Sequence, residues 1–289
     1  MTKKSTDHMT QAYPVAGLLR QGRPLVMGVL NVTPDSFSDG GRYVSVRAAV
    51  DYALAMEQQG ADIVDVGGES SRPGAAPLNS KNEQARVLPV IEAIREKSAI
   101  PISIDTYHAE TARLAVKAGA NMINDISALR FDDEMAAVVQ EAGLPIVLMH
   151  MLGEPLTMQQ DPRYEDCVAE ILTFLLERIT FCEEAGIARA NIIVDPGIGF
   201  GKRLEDNLAI LAHLKRFKQF DRPLLVGASR KSFIGKLSGA SQDSVERVGG
   251  SIAAALTAVA NGADIVRVHD VGATVEALRV FDAIRRVTW

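Results

Sequence analysis

Polar and ionisable residues recur in this chain directly after short apolar runs. Asn31 ends Leu25–Asn31, and Asp65 sits within Asp62–Gly67 with Glu69 just beyond it. Asp105 ends Pro101–Asp105, Asn124 and Asp125 end Asn121–Asp125, and His150 ends Pro145–His150. Asp195 ends Asn191–Asp195, Ser229 through Lys231 close the run from Pro223, and Arg267 with His269 lie in Asp264–Asp270. Asp105, Asn124 and Asp195 supply acceptors; a carboxylate takes two parallel N–H bonds from an amino-pyrimidine edge as it does from a guanidinium. Lys231, Arg267, Arg72 and His269 supply positive charge or donors. The set suits a flat heterocycle carrying N–H donors and an anionic tail. A single aspartate is explained as well by an ion pair or a helix cap. The whole ring is not, because burying unpaired ionisable groups is costly.

The runs themselves are short, nearly continuous in apolar character and rich in Val and Ile, as expected for strands buried on both faces of a parallel sheet. Helical patterns lie between them at Val46–Gln59, Ala109–Ala118, Glu134–Ala142 and Asp166–Ala185. In the last, Val168, Ile171, Leu172, Leu175, Ile179 and Cys182 keep the spacing of one buried helix face. Eight such units, at about 36 residues each, predict a single (β/α)8 TIM barrel, α/β in class, spanning residues 14–289. In that fold the C-terminal strand ends form the active-site mouth, and the loops after strands 7 and 8 often bind phosphate. A doubly wound open sheet would need a Gly-rich turn after the first strand. Residues 31–41 (NVTPDSFSDGG) do not supply one. Gly67-Gly68 and Gly197, Gly199 and Gly201 follow strands, where glycine permits close approach to a ligand. Gly197–Lys202 looks like a phosphate loop but lacks the Gly-Lys-Ser/Thr ending.

The 289 residues are 47% hydrophobic and 23% charged, with net charge -5. This excludes a disordered chain and argues against a nucleic-acid binder, which would carry a basic stripe. No apolar stretch approaches the roughly 18 residues of a membrane span. Residues 1–13 are polar and read as a loose tail of a cytoplasmic protein. The two cysteines, Cys167 and Cys182, fall in one predicted helix, roughly 22 Å apart at 1.5 Å per residue, too far for a disulfide. A reducing compartment fits.

Several long blocks occur in order: Met27–Gly41 (MGVLNVTPDSFSDGG), Gly67–Gly74 (GGESSRPG), Asn124-Asp125, Asp195–Lys202 (DPGIGFGK), Ser229–Phe233 (SRKSF) and Arg267–Asp270 (RVHD). On these blocks the chain resembles bacterial dihydropteroate synthases from about Pro24 to Val271. The resemblance implies a transferase of folate biosynthesis. Such an enzyme joins 4-aminobenzoate to 6-hydroxymethyl-dihydropterin diphosphate, releasing diphosphate with the help of Mg2+, and is a sulfonamide target. It implies that Asp105, Asn124, Asp195 and Lys231 grip the pterin ring and that Arg267 covers a ring face and touches the diphosphate. Ser71, Arg72 and His269 would bind the diphosphate, and Asn31 would offer its side-chain oxygen to Mg2+. Arg72, Lys231 and Asp105 would be the catalytic residues. Thr33, Pro34, Asp35 and Phe37 would belong to one loop closing over the site, and Arg72 and Pro73 to a second. These would complete the aminobenzoate pocket with Phe200 and Ser232, whose hydroxyl and N–H would meet the carboxylate. His150 would be structural.

Taken singly, Asn31 could form a turn, Ser71 could bond backbone, Phe37 could pack on the rim and Phe200 could be core. The family most often has Thr at the position of Ser71; the hydroxyl is kept. Glu154 stands where smaller residues are common, and the role of Glu154 is open. The family is usually dimeric, and Ser251–Ala260 is small and apolar enough for close packing. Two alternatives are a non-catalytic pterin-binding paralogue and an enzyme like the methyltetrahydrofolate-corrinoid methyltransferases. The second would not need the diphosphate set or the Thr33–Gly41 loop.

Overall fold

Each of the eight apolar runs forms a strand: β1 Leu25–Asn31, β2 Ile63–Gly67, β3 Ile102–Asp105, β4 Met122–Asp125, β5 Ile146–Met149, β6 Ile192–Asp195, β7 Leu225–Val226 and β8 Ile265–Val268. The computed structural model describes residues 17, 19, 22–33, 41–70, 74–239 and 247–287, except the side chains of 41–45. The expected tail, residues 1–13, lies outside the described residues. Neighbouring strands pair in parallel in the order β6-β5-β4-β3-β2-β1-β8-β7. A parallel bridge between Val194 and Leu224, with Val194 N donating to Pro223 O at 3.0 Å, joins the two ends into the expected barrel.

Helices follow the strands: α1 Gly41–Gln58, α2 Ser80–Arg95, α3 Ala109–Ala118, α4 Met135–Ala142, α5 Cys167–Glu184, α6 Leu204–Ala212, α7 Ser232–Ser238, α8 Val248–Ala260 and α9 Val271–Arg285. α5 starts where the Asp166 carboxylate accepts from Ala169 N at 3.0 Å, satisfying an amide that the first turn leaves without a partner. Cys167 and Cys182 sit near its two ends, buried and unbridged. The run from Pro223 to Ser229 is shorter as a strand than the sequence implies. Only Leu225 and Val226 form β7, and by Arg230 the backbone has turned to a left-handed conformation with φ 57°. Ser251, Ala254, Ala255 and Ala258 of α8 are buried, so much of that small-residue segment is used within the barrel itself.

The strands bury both faces, as their composition requires. Outward residues such as Val64, Val66, Ile104 and Val194 pack under the helices. Inward residues at the N-terminal ends, Leu25, Met27, Ile63, Met122, Val147, Ile193, Leu225 and Ile265, form a separate apolar cluster no more than 1% exposed. Side chains alternate with a period of two. Asp65 therefore follows Ile63 on the inner face, as Asn124 follows Met122, Asp195 follows Ile193 and Arg267 follows Ile265. The interior changes from apolar to ionic within one step of the pleat.

Candidate active site

Asp65, Asp105, Asn124 and Arg267 reach this ionic layer from four strands and bond to one another. The Arg267 guanidinium donates from Nε to Asp65 Oδ2 at 2.6 Å and from Nη2 to Asp105 Oδ2 at 2.7 Å. Asn124 Nδ2 donates to the same Asp65 oxygen at 3.1 Å. Asp65 is fully buried, and its Oδ1 has no hydrogen-bond partner. The sequence placed Asp65 at the mouth without assigning it a role. It ties two of the expected pterin residues together from across the barrel. Asp125, beside Asn124, turns to the other face and accepts from the Ser127 amide, the Ser127 hydroxyl and the Leu129 amide. It organises a turn and is not part of the ring.

On the opposite side Asp195 Oδ1 accepts from Gly197 N at 2.7 Å. Lys231 sets its ammonium 4.0 Å from the centre of the Phe200 ring, a cation–π contact. Gly197 is required here. Its φ is 68°, and a Cβ would stand 1.9 Å from His150 O. Gly199 likewise leaves room for the Lys231 stem, which a Cβ would meet at 3.0 Å. Burial, opposed by Arg267 and reinforced by Asp65, pushes the Asp105 carboxyl up to about 7. Burial pushes Asp195 up to about 6, against the Gly197 hydrogen bond and the charges of Lys231, Lys202 and Arg267. Burial, with repulsion from Arg267, pulls Lys231 down to about 8. Burial also opposes the charge on Arg267, but Asp65 and Asp105 outweigh it and raise its proton affinity above the usual.

His269 has two expected capacities, charge or hydrogen bonding, and its surroundings favour the second. It is mostly buried beside Arg267 and Arg230, which with desolvation pull it down to about 3. It is therefore a neutral imidazole at physiological pH, with Nδ1 3.1 Å from Ser229 Oγ, and offers hydrogen bonds rather than charge. Thr33 follows β1 and is half-buried, and Ser232 opens α7, exposed beside Lys231. Pro34, Asp35, Phe37, Ser71, Arg72 and Pro73 lie outside the described residues. The second of the expected loops is fastened at its ends. Glu69 Oε1 accepts from Leu78 N at 3.1 Å and from the Tyr107 hydroxyl at 2.7 Å, and Arg86 donates to Gly68 O at 2.7 Å. Tyr107 and Arg86 carried no signal in the sequence, since neither stands at a strand end. His150 is buried, and its ring, kept neutral by burial and by the charges of Lys202 and Arg130, takes a hydrogen bond from Lys202.

The pterin binding enzyme family matches residues 27–269. The dihydropteroate synthase of Escherichia coli (strain K12) is 51% identical over 260 residues, covering 90% of this chain and 91% of that protein. The chain belongs to the dihydropteroate synthase family. Among solved structures, the Xanthomonas albilineans dihydropteroate synthase with 4-aminobenzoic acid is 48% identical with a TM-score of 0.87, covering 92% of this chain and 94% of that one. The Yersinia pestis enzyme, solved with a sulfonamide drug complex, is 45% identical with a TM-score of 0.87 over 92% and 96% of the two chains. Membership accounts for the strand ends carrying so many ionisable groups, and it makes this chain a transferase.

Proposed function

We propose that the barrel mouth performs its family's reaction with the residues described here. That reaction condenses 4-aminobenzoate with (7,8-dihydropterin-6-yl)methyl diphosphate to give 7,8-dihydropteroate and diphosphate. The observation that carries the reading is the convergence of Asp65, Asp105, Asn124, Asp195 and Arg267 onto one inner layer, with Lys231 beside Phe200 at the rim. Asp105, Asn124 and Asp195 accept from the N–H edge of the pterin, and Lys231 donates to its ring acceptors. A planar guanidinium stacks and donates at once, so Arg267 covers a ring face while reaching the diphosphate. Ser71, Arg72 and His269 complete that anion's binding. Thr33, Pro34, Phe37, Arg72, Pro73, Phe200 and Ser232 take the 4-aminobenzoate.

Among the described residues no group of three or more His, Cys, Asp or Glu could hold a metal ion. Asn31, half-buried at the end of β1, offers one neutral oxygen. That donor fits Mg2+, a hard ion that keeps waters and rides on substrate phosphates. When bound, Mg2+ would neutralise charge on the departing diphosphate. In our reading the C–O bond breaks first. Asp105 and Asp195 stabilise the cationic pterin methylene electrostatically, and the aniline nitrogen then adds. The amine proton passes to water or diphosphate. Carbon isotope effects typical of direct displacement would overturn this order.

Purified protein given both substrates and Mg2+ is expected to form dihydropteroate and release diphosphate, with sulfonamides competing for the place of 4-aminobenzoate. No dihydropteroate with both substrates present would overturn the assignment. We further propose a homodimer, formed by the outer faces of α8 and α9, where Val280 and Ile284 are 58% and 67% exposed, and work in the cytoplasm. Light scattering showing a monomer at micromolar concentration would remove the dimer. No helix among the described residues is long and apolar enough to cross a membrane.

A further inference from the structure

The glycine-rich string Gly197–Lys202 ends in a lysine that faces inward. Lys202 is 3% exposed, and no carboxylate among the described residues lies within ion-pair distance of its ammonium. Its Nζ donates to Phe200 O at 3.0 Å, lies 3.0 Å from His150 Nδ1, and is 3.4 Å from His150 O. A lysine nitrogen has donors to give, so the neutral His150 ring presents Nδ1 as the acceptor. His150 is itself packed edge-on against Phe174, with ring centroids 4.9 Å apart.

The rest of the string is pinned as firmly. Gly199 N donates to Asn207 Oδ1 at 2.7 Å, Gln159 Nε2 donates to Gly199 O at 2.8 Å, and the Tyr164 hydroxyl donates to Gly201 O at 2.7 Å. Lys202 supplies the tie at Phe200, the residue whose ring lies under Lys231. Burying an ammonium against neutral acceptors is costly. Burial, with repulsion from Lys231 and against the pull of Cys167, Asp195 and Asp206, brings Lys202 down to about 7, so it carries its charge across the acid limb where Asp195 titrates. An apolar side chain would fill the space more cheaply, so packing alone does not explain a lysine.

We propose that Lys202 is a positioning residue for the reaction: its ammonium, held between Phe200 O and His150 Nδ1, fixes the Phe200 ring against Lys231 and adds a positive charge to those that Lys231 and Arg267 bring to Asp195. This rests on the reading above that Asp195 and Lys231 hold the pterin and Phe200 the 4-aminobenzoate. The groups acting on Asp195 are Lys231 after β7, Arg267 on β8 and Lys202 itself, and each of them favours the ionised carboxylate. Withdrawing one charge leaves two, so Asp195 remains titratable but at higher pH.

The test is steady-state kinetics on the full chain with Lys202→Met, Lys202→Gln, Phe200→Leu and the Lys202→Met/Phe200→Leu double variant. Lys202→Met is expected to raise KM for 4-aminobenzoate about tenfold, equivalent to about 1.4 kcal/mol, with a smaller change in KM for the pterin diphosphate. It should also move the acid limb of the pH profile upward. Lys202→Gln can still donate to Phe200 O, so it should retain most of the 4-aminobenzoate KM while showing the same pH shift. In the Phe200→Leu background the KM effect should disappear, because coupled residues are not additive. Unchanged KM and pH profile in Lys202→Met, or additive effects of the two substitutions, would overturn the inference. If Lys202→Met does not fold, the pH profile of Lys202→Gln decides: an unshifted limb overturns the inference. Wild-type protein that makes no dihydropteroate would instead overturn the functional reading.

Discussion

Asp105, Asp195 and Lys231 titrate close to neutrality because the barrel removes them from water faster than their partners compensate. With Asp105 pushed up to about 7 and Asp195 up to about 6, acid protonates both and removes acceptors that the pterin edge needs. With Lys231 pulled down to about 8, base removes the donor. The pH profile of kcat/KM for the pterin diphosphate is therefore expected to be bell-shaped, rising between about 6 and 7 and falling near 8. A flat profile from pH 5 to 9 would contradict this electrostatic account. Lys231→Ala should weaken pterin diphosphate binding by calorimetry while leaving the melting temperature nearly unchanged. Asp65→Ala behaves differently, because it removes one of the two carboxylates that hold the buried Arg267 guanidinium and the acceptor of Asn124 Nδ2. A loss of about 1–3 kcal/mol in denaturant unfolding is expected, since Asp105 still pairs the guanidinium, together with weaker pterin binding. The aspartates and Lys231 could be read from the sequence because they end apolar runs. The Arg267–Asp65 bond could not, since it joins residues 202 positions apart through a register that only the closed sheet defines. Which of its two capacities His269 would use stayed open for a similar reason. Its neutrality comes from Arg267 and Arg230 and from burial, none of which its position in the chain reports.

Strands were more legible than the elements around them. β1 matches Leu25–Asn31 because two-sided burial leaves an unbroken apolar run whose ends are unmistakable. β7 was overextended. Gly227, Ala228 and Ser229 continue the small, apolar character of the run while the chain is already leaving the sheet for Arg230. α2 is not among the helical patterns named from the sequence, and Pro89 lies inside it. A proline there removes an intrahelical N–H bond, yet Val87, Val90, Ile91 and Ile94 bury one face and hold the helix. The Gly197–Lys202 segment makes a sharper test of element-level packing. Gly197→Ala would combine a left-handed backbone with a collision against His150 O. It is expected to cost about 3 kcal/mol or more in stability, read by chemical denaturation, and to reduce turnover by displacing Phe200. An Ala variant with wild-type stability would show that β5 and this segment can move apart.

At the scale of the molecule, the barrel separates stability from function along its axis. The apolar cluster from Leu25 to Ile265 needs no ligand, whereas the ionic layer above it holds charges that burial disfavours. A ligand that neutralises that layer should stabilise the whole chain. At a concentration of 100 Kd, a pterin is expected to add about 2.7 kcal/mol. For a barrel of this size that raises Tm by roughly 4–5 °C, measured by scanning calorimetry. No rise at saturating pterin would mean that the layer is not the binding surface. The apolar cluster also governs traffic. It plugs the N-terminal end of the cylinder, leaving among the described residues a single doorway for everything that reacts inside. With the pterin on the ionic layer, as proposed, the bicyclic partner would have to arrive before the smaller aromatic acid. A chamber with one way in works as a queue: the first guest waits behind the second until the joined product leaves.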